Sequence, residues 1–574
     1  MLKLLRYMKG YGKECVLGPL FKLLEATFEL LIPLVVAGIV DQGILKNDQP
    51  HIIRMCIWMI VLGVVGFICA LVAQYFAAKA SVGFCAKVRH AVMETVLGLQ
   101  YKQIDRLGTS TIITRMTADI NQIQNGVNLT LRLLLRSPFV VFGAMVMAFT
   151  IDFQAALVFA GLIPLLCIVV FGIMLVTIPI YKNVRSRLDA VTAATRENLS
   201  GVRVIRAFCR ENEECKDFTE KTEALYLGQV FAGKISSLMN PVTFVLVNGA
   251  VILLMHIGAI KVEGGILSQG MVVALYNYMS QILVELIKMA NLIITMTKAA
   301  ACGNRVQSIL EEETIKSGTD ENTTLKGKIE FCDVSFSYDG AAEPSLMGIH
   351  FRVNPGQTVG IIGGTGSGKT TLINLIPRLY ECSSGSILLD DKSVSSFSRD
   401  TLCSQIGIVP QKSVLFRGTV RENLLWGRED AADESLMTAL KCAQAYDFVM
   451  EKENGLDAIV EQGGSNFSGG QRQRLAIARA LVREPKILIL DDSASALDYA
   501  TDAKLRQSIR AMKNPPTTII VSQRAASVRF ADVILVLDDG EMVGKGTHDE
   551  LLKSCAVYQE IYYSQFPREV IENA

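Results

Sequence analysis

The sequence lacks the marks of a secreted, nucleic-acid-binding or repetitive protein. Its 57 Lys and Arg residues meet 56 Asp and Glu, leaving a net charge of +1, so no global field attracts nucleic acid or an acidic partner. Thirteen cysteines lie scattered singly, with no CxxC pair; this argues against a disulfide framework or a thiolate metal site and fits reduced thiols in a cytosolic or membrane setting. The opening stretch "MLKLLRYMKGYGKE" has no small-residue cleavage site of a signal peptide. It is basic and amphipathic, as suits a segment lying on the cytoplasmic face of a membrane. Internal repeats and low-complexity tracts are missing too.

Charge is also missing from particular places. Residues 55–78, 153–181, 235–260 and 264–284 contain no Asp, Glu, Lys or Arg, and each could cross roughly 30 Å of hydrocarbon as a helix. Two further spans are less clean. The stretch 137–151 becomes long enough if Arg132 and Arg136 snorkel at its inner end. The stretch 15–40 carries Lys22, Glu25 and Glu29. Six spans result. Lys3, Arg6, Lys9 and Lys13 in the arm, and the basic segments 79–136 and 182–234, place both termini and both long segments on the cytoplasmic side. Those segments read as helical continuations of the spans.

From about residue 303 the chain turns polar, and from Ile329 short β-rich runs alternate with helical ones, as in a soluble α/β domain. The expected organisation is a membrane domain over 1–302, a linker over 303–328 and an α/β domain over 329–574. In the last, "VGIIGGTGSGKTTLINLI" runs from a short apolar strand, Val359–Ile362, into Gly363, Gly364, Thr365, Gly366, Ser367, Gly368, Lys369 and Thr370, then Thr371 and a helix. This fits G-x-x-x-x-G-K-[ST] at every position. Glycines let backbone N–H groups turn inward around phosphate, and the helix N-terminus adds partial positive charge. Lys369 is expected on the β- and γ-phosphates and Thr370 on Mg²⁺. A second apolar strand, "ILIL", ends at Asp491, placed to hold the same Mg²⁺.

A phosphate loop followed by "NFSGGQRQRLAIARAL", 466–481, and at once by the apolar strand with its aspartate resembles the nucleotide-binding domain of ABC transporters. With six spans upstream, nearly the whole chain resembles a half-transporter of the ABC exporter family: a six-span α-helical membrane domain fused to an α/β P-loop domain. "TRMTADINQIQ", 114–124, and "GVRVIRAFCRE", 201–211, resemble the family's intracellular segments, close to which its coupling helices lie. The resemblance implies that Tyr338 stacks on adenine and that Gln411 contacts Mg²⁺ and senses the γ-phosphate. It implies that Ser468, Gly469, Gly470 and Gln471 form a signature that closes over ATP held by the opposite subunit, and that Asp498 ends a loop crossing the dimer interface. Cofactors are then ATP and Mg²⁺.

Four positions depart from the family pattern. Asp492 stands where the catalytic glutamate belongs. Gln523 stands where the switch histidine belongs, and no other histidine can replace it, the five being at 51, 90, 256, 350 and 548. Gln462 replaces a glutamate before the signature, and within the signature Phe467 replaces a leucine. Hydrolysis needs an oriented, partly deprotonated water and stabilisation of charge on the transferring phosphoryl group. Asp and Glu are similarly basic, but Asp is shorter by roughly 1.5 Å, and a misplacement of about 1 Å can cost on the order of 100-fold. Glutamine donates a hydrogen bond but carries no charge. The expected result is a site that binds ATP and hydrolyses it slowly. A homodimer would hold two such sites, so the expected partner is a second half-transporter that uses this chain's signature.

For the cargo, the resemblance implies drug-like or lipid-like amphiphiles. Lys22, Glu25 and Glu29 share a helical face; the favoured reading is a Lys22–Glu25 pair with Glu29 against a polar neighbour, the alternative a carboxylate site for cationic amphiphiles. Glu285 and Lys288 are expected to pair locally. Asn248 and His256 are expected as packing residues. Two other readings of the whole are a regulatory, nucleotide-sensing membrane subunit and a dedicated peptide exporter. The expected location is the cytoplasmic membrane, and the short loops resemble bacterial members.

Overall fold

The computed structural model describes residues 2–313, 318, 320, 323–493 and 497–566. The chain forms two compact units: Met1–Leu97 with Thr109–Glu312, and Gly98–Gly108 with Glu313–Ala574.

The helices up to residue 310 are α1 (Gly12–Gly38), α2 (Gln49–Gly98), α3 (Tyr101–Leu107), α4 (Thr109–Thr114), α5 (Ile120–Leu133), α6 (Arg136–Ile151), α7 (Phe153–Ala207), α8 (Glu211–Ser237), α9 (Met239–Glu263) and α10 (Gln269–Leu310). All but α3 build the first unit; α3 belongs to the second. Among the described residues, six helical stretches are long and apolar enough to cross a membrane. The charged segments continue the spans as helix: α7 runs 55 residues without a break and α2 runs 50. Asp152 ends one span and starts the next, its carboxylate accepting from the Ala155 N–H at 2.7 Å in the manner of an N-cap. Lys261 closes on the same carboxylate at 2.5 Å. Between α7 and α8 the chain turns at residues 208–210, leaving Phe208 exposed.

Two expectations about this unit need correction. Arg136 does not snorkel. It is 6% exposed and reaches Glu29 at 2.5 Å and Glu285 at 2.6 Å, because two carboxylates inside the bundle solvate a guanidinium better than a distant headgroup layer can. Asn248 and His256 are exposed rather than packed; the Asn248 amide is satisfied by the Phe244 carbonyl at 2.8 Å within its own helix. Within the polar stretch that opens at 303, α10 continues as helix to Leu310, and Val306 and Ile309 are fully buried. Both ion pairs read from the sequence are present, Lys22–Glu25 at 2.5 Å and Lys288–Glu285 at 2.8 Å. Glu29 meets its polar neighbour in Arg136. All thirteen cysteines are free.

The second unit carries two main sheets. Strands β1 (Ile329–Phe336), β2 (Leu346–Val353), β4 (Ser384–Leu389) and β5 (Lys392–Ser393) form an antiparallel sheet in the order β2-β1-β4-β5. Strands β3 (Thr358–Gly363), β6 (Ile406–Val409), β9 (Ile487–Asp491), β10 (Thr517–Val521), β11 (Val533–Asp538) and β12 (Glu541–Gly546) form the other, in the order β12-β11-β3-β10-β9-β6. A short pair, β7 (Gly418–Thr419) with β8 (Ile459–Val460), stands apart. All of the larger sheet except β12 is parallel. Every residue of β3, β9 and β10 is buried, which is why these strands read as unbroken apolar runs: a parallel sheet is covered on both faces.

Candidate functional site

Four neighbouring parallel strands, β3, β10, β9 and β6, deliver their carboxyl ends to one edge of the sheet. That edge is where open α/β sheets place ligands. The phosphate loop leaves β3, Gln523 follows β10, Asp491 ends β9 with Asp492 just beyond, and Gln411 follows β6. Strand order thus gathers residues that are far apart in the chain.

A cavity of about 350 Å³ opens there, lined among others by Tyr338, Thr365, Gly366, Gly368, Lys369, Thr370, Thr371, Gln411, Asp491, Asp492 and Gln523. The loop takes its shape from glycine where glycine is needed. Gly368 has φ of 90°, and a Cβ there would lie 2.6 Å from the Ser345 carbonyl oxygen; the left-handed turn admits little else. Gly363, Gly364 and Ser367 do not line the cavity; the two glycine carbonyls accept from the Lys369 ammonium, the first at 2.9 Å, and Ser367 Oγ lies 3.2 Å from it. Burial pulls the Lys369 ammonium below the ordinary lysine range, against the attraction of Asp492 and Asp491. A polyphosphate would offer that ammonium a better partner than loop carbonyls.

The Thr370 hydroxyl lies 3.2 Å and 3.3 Å from the two Asp491 carboxylate oxygens. Burial pushes the Asp491 carboxyl above its usual range; the Thr370 hydroxyl and Lys369 oppose that shift and the Asp492 charge adds to it. A buried carboxylate and a hydroxyl are hard oxygen donors suited to Mg²⁺.

Asp492 sits at φ of 46°, left-handed backbone that aspartate tolerates better than most residues. Its N–H donates to the Val521 carbonyl at 2.9 Å, tying the end of β9 to β10. The Gln411 amide reaches its carboxylate at 3.4 Å. Gln523 is exposed on the cavity wall, with its backbone carbonyl held by the Gln565 amide at 2.8 Å. Two of the departures from the family pattern, Asp492 and Gln523, therefore share one cavity.

The Tyr338 hydroxyl lies 3.0 Å from Thr371 Oγ1, and its ring packs edge-on against Tyr380, centroids 5.5 Å apart. Tyr380 is a residue that sequence reasoning does not single out. It touches the Tyr101 ring of α3 at 6.0 Å and donates to Asp105 at 2.6 Å, while Lys102 pairs with Asp339 at 2.7 Å. Only its spacing from the phosphate loop could have suggested it. Ser345 and Ser522, also on the wall, carry no sequence signal.

The signature lies elsewhere. Ser468 caps the helix Gly469–Val482 through a reciprocal pair with Gln471, Gln471 N–H to Ser468 Oγ at 3.3 Å and Ser468 N–H to Gln471 Oε1 at 3.0 Å. Ser468 and Gly469 are exposed, and none of Ser468, Gly469, Gly470 and Gln471 lines the cavity. Phe467 is buried in the core beside Phe448. Asp498 precedes the helix Tyr499–Arg510, and residues 494–496 of its loop lie outside the described residues.

Comparison with known proteins agrees with this geometry. Residues 15–286 match the ABC transporter transmembrane region and residues 346–495 match the ABC transporter domain. The chain is 37% identical to the uncharacterized ABC transporter ATP-binding protein YfiB of Bacillus subtilis, over 100% of both chains. It is 36% identical to the uncharacterized ABC transporter ATP-binding protein Rv1273c of Mycobacterium tuberculosis, over 98% of both. It is 27% identical to the ATP-dependent lipid A-core flippase of Salmonella typhimurium, over 95% of this chain and 94% of that one. A membrane region of six apolar helices, a phosphate loop on a parallel sheet and end-to-end similarity to such chains together make this protein a member of the ABC transporter family, a multi-pass half-transporter whose ATPase domain drives transport and which works as a dimer.

Proposed function

We propose that the chain is one half of a heterodimer that exports amphiphilic small molecules, drug-like or lipid-like, across the cytoplasmic membrane of a bacterium, with both termini inside. The observation that carries the asymmetric part is the joint presence of Asp492 and Gln523 on one cavity wall. Tyr338 stacks on adenine; Gly363 to Gly368 cradle the phosphates; Lys369 neutralises the β- and γ-oxygens; Thr371 steadies Tyr338. Thr370, Asp491 and Gln411 hold Mg²⁺, which when bound neutralises charge on the phosphate oxygens. Asp492 orients the attacking water from too far back, and Gln523 donates to the γ-phosphate without charge. ATP is bound and hydrolysed slowly. The Ser468–Gln471 signature completes the partner's site, where a glutamate and a histidine perform the fast step. The flippase named above supports lipid-like cargo.

The test is to purify the tagged chain from native membranes in mild detergent and compare its ATPase rate alone with that of any co-purifying complex. A second half-transporter, and a mixed complex at least about tenfold faster than this chain alone, is the expected result. Equal, substrate-stimulated rates would overturn the asymmetric reading.

A further inference from the structure

The membrane unit holds two concentrations of charge, and they differ in kind. In the first, Lys22, Arg136 and Lys288 meet Glu25, Glu29 and Glu285. Each carboxylate has a cation within 2.8 Å, and Glu285 also accepts from Ser137 at 2.8 Å. This cluster neutralises itself and does not call for a cationic ligand.

The second lies between α7 and α10. A cavity of about 990 Å³ is walled by apolar side chains such as Val170 and Ile294, and ends among Lys182, Arg185, Asp189 and Lys298. Three cations and one carboxylate leave it a charge of +2. None of the four makes an ion pair or side-chain hydrogen bond with a described residue. Lys182, Arg185 and Asp189 follow at i, i+3 and i+7, so one face of α7 presents them together.

The polarity runs along the helix. Residues 153–181 carry no charge and Lys182 opens the charged segment. From Val170 to Asp189 the helix rises about 28 Å, so the cavity passes from hydrocarbon depth to the cytoplasmic headgroup level. A volume of this size suits a ligand of drug or lipid dimensions, and unpaired Lys and Arg at headgroup depth attract acidic lipid.

We propose that this cavity is a binding site for an anionic lipid-like amphiphile of the inner leaflet, its acyl part against the α7–α10 wall and its acidic headgroup on Lys182, Arg185 and Lys298. This rests on the transport reading above and narrows its cargo. Asp189 tempers the site by opposing one of the three cations.

The test uses the full-length chain in detergent without nucleotide, titrated with phosphatidylglycerol and with phosphatidylcholine of the same acyl chains and followed by native mass spectrometry. Phosphatidylglycerol is expected to bind on the order of tenfold more tightly. The combined Lys182→Gln, Arg185→Gln, Lys298→Gln variant should bring the ratio close to one. Asp189→Asn should raise it, a change in the opposite direction that a misfolded variant would not produce. A ratio near one in the unaltered chain, an unchanged ratio in the triple variant, or preferential binding of tetraphenylphosphonium would overturn the proposal. Binding is read without ATP or a partner, so its failure leaves the asymmetric ATPase reading standing, and a fast homodimeric ATPase would leave the lipid result standing.

Discussion

The two walls of the nucleotide cavity differ in what they are built to do. On the first, Lys369 and Asp491 are buried, the Thr370 hydroxyl bonds to Asp491, and all three are of the residue types that phosphate and Mg²⁺ require. On the second, where β9 and β10 end, Asp492 is short and Gln523 is uncharged and exposed. On the proposed reading, binding and turnover separate within one site, because binding needs a cradle of donors whereas turnover needs a closely placed water.

The most damaging change should be on the first wall. Lys369→Ala is expected to weaken ATP binding on the order of 100-fold, since it removes a buried charge-assisted contact; equilibrium binding of a fluorescent ATP analogue measures it. Near-normal binding would mean that the cradle does not hold phosphate as described. On the second wall, Asp492→Glu with Gln523→His is expected to raise ATP turnover by about 10- to 100-fold, with smaller gains from each alone. A rate that does not move would erase the contrast between the walls.

The smallest expected effect concerns stability. Burial raises the Asp491 pKa above its ordinary value of 3.8. A group raised in this way contributes stability that is present below the unfolded pKa and lost as pH rises through the folded one. At neutral pH the buried charge therefore destabilises the nucleotide-free domain. Asp491→Asn should stabilise the nucleotide-free chain by about 1 kcal/mol at pH 7 and by less as pH falls toward about 4, while removing the Mg²⁺ dependence of ATP binding. Thermal unfolding at the two pH values reads the first effect. Equal shifts at both would show that the carboxylate charge is not the cause.

What can be read from the sequence depends on range. The phosphate loop is legible because its glycines, lysine and threonine are contiguous, and the spans because charge is absent over whole stretches. The pairs Lys22–Glu25 and Glu285–Lys288 are legible because the partners stand three positions apart on a helix. Arg136 misleads because its partners, Glu29 and Glu285, lie 107 and 149 positions away. Tyr380 escapes notice for the same reason, its partner Tyr101 being on another part of the chain. The end of α10 is hidden because acidic and polar residues around it mask the buried spacing of Cys302, Val306 and Ile309. The left-handed backbone of Asp492 leaves no trace in its neighbours.

The excursion Gly98–Gly108 has a consequence for synthesis. Tyr101 and Asp105 meet Tyr380, which leaves the ribosome almost three hundred residues later. At about 5–20 residues per second, that is a wait on the order of tens of seconds. During it the segment has been made and its docking surface has not, so the C-terminal unit cannot be completed by its own contiguous chain. A fragment that starts at residue 329 would lack this segment, leaving Tyr380 without Tyr101 and Asp105, and Asp339 without Lys102.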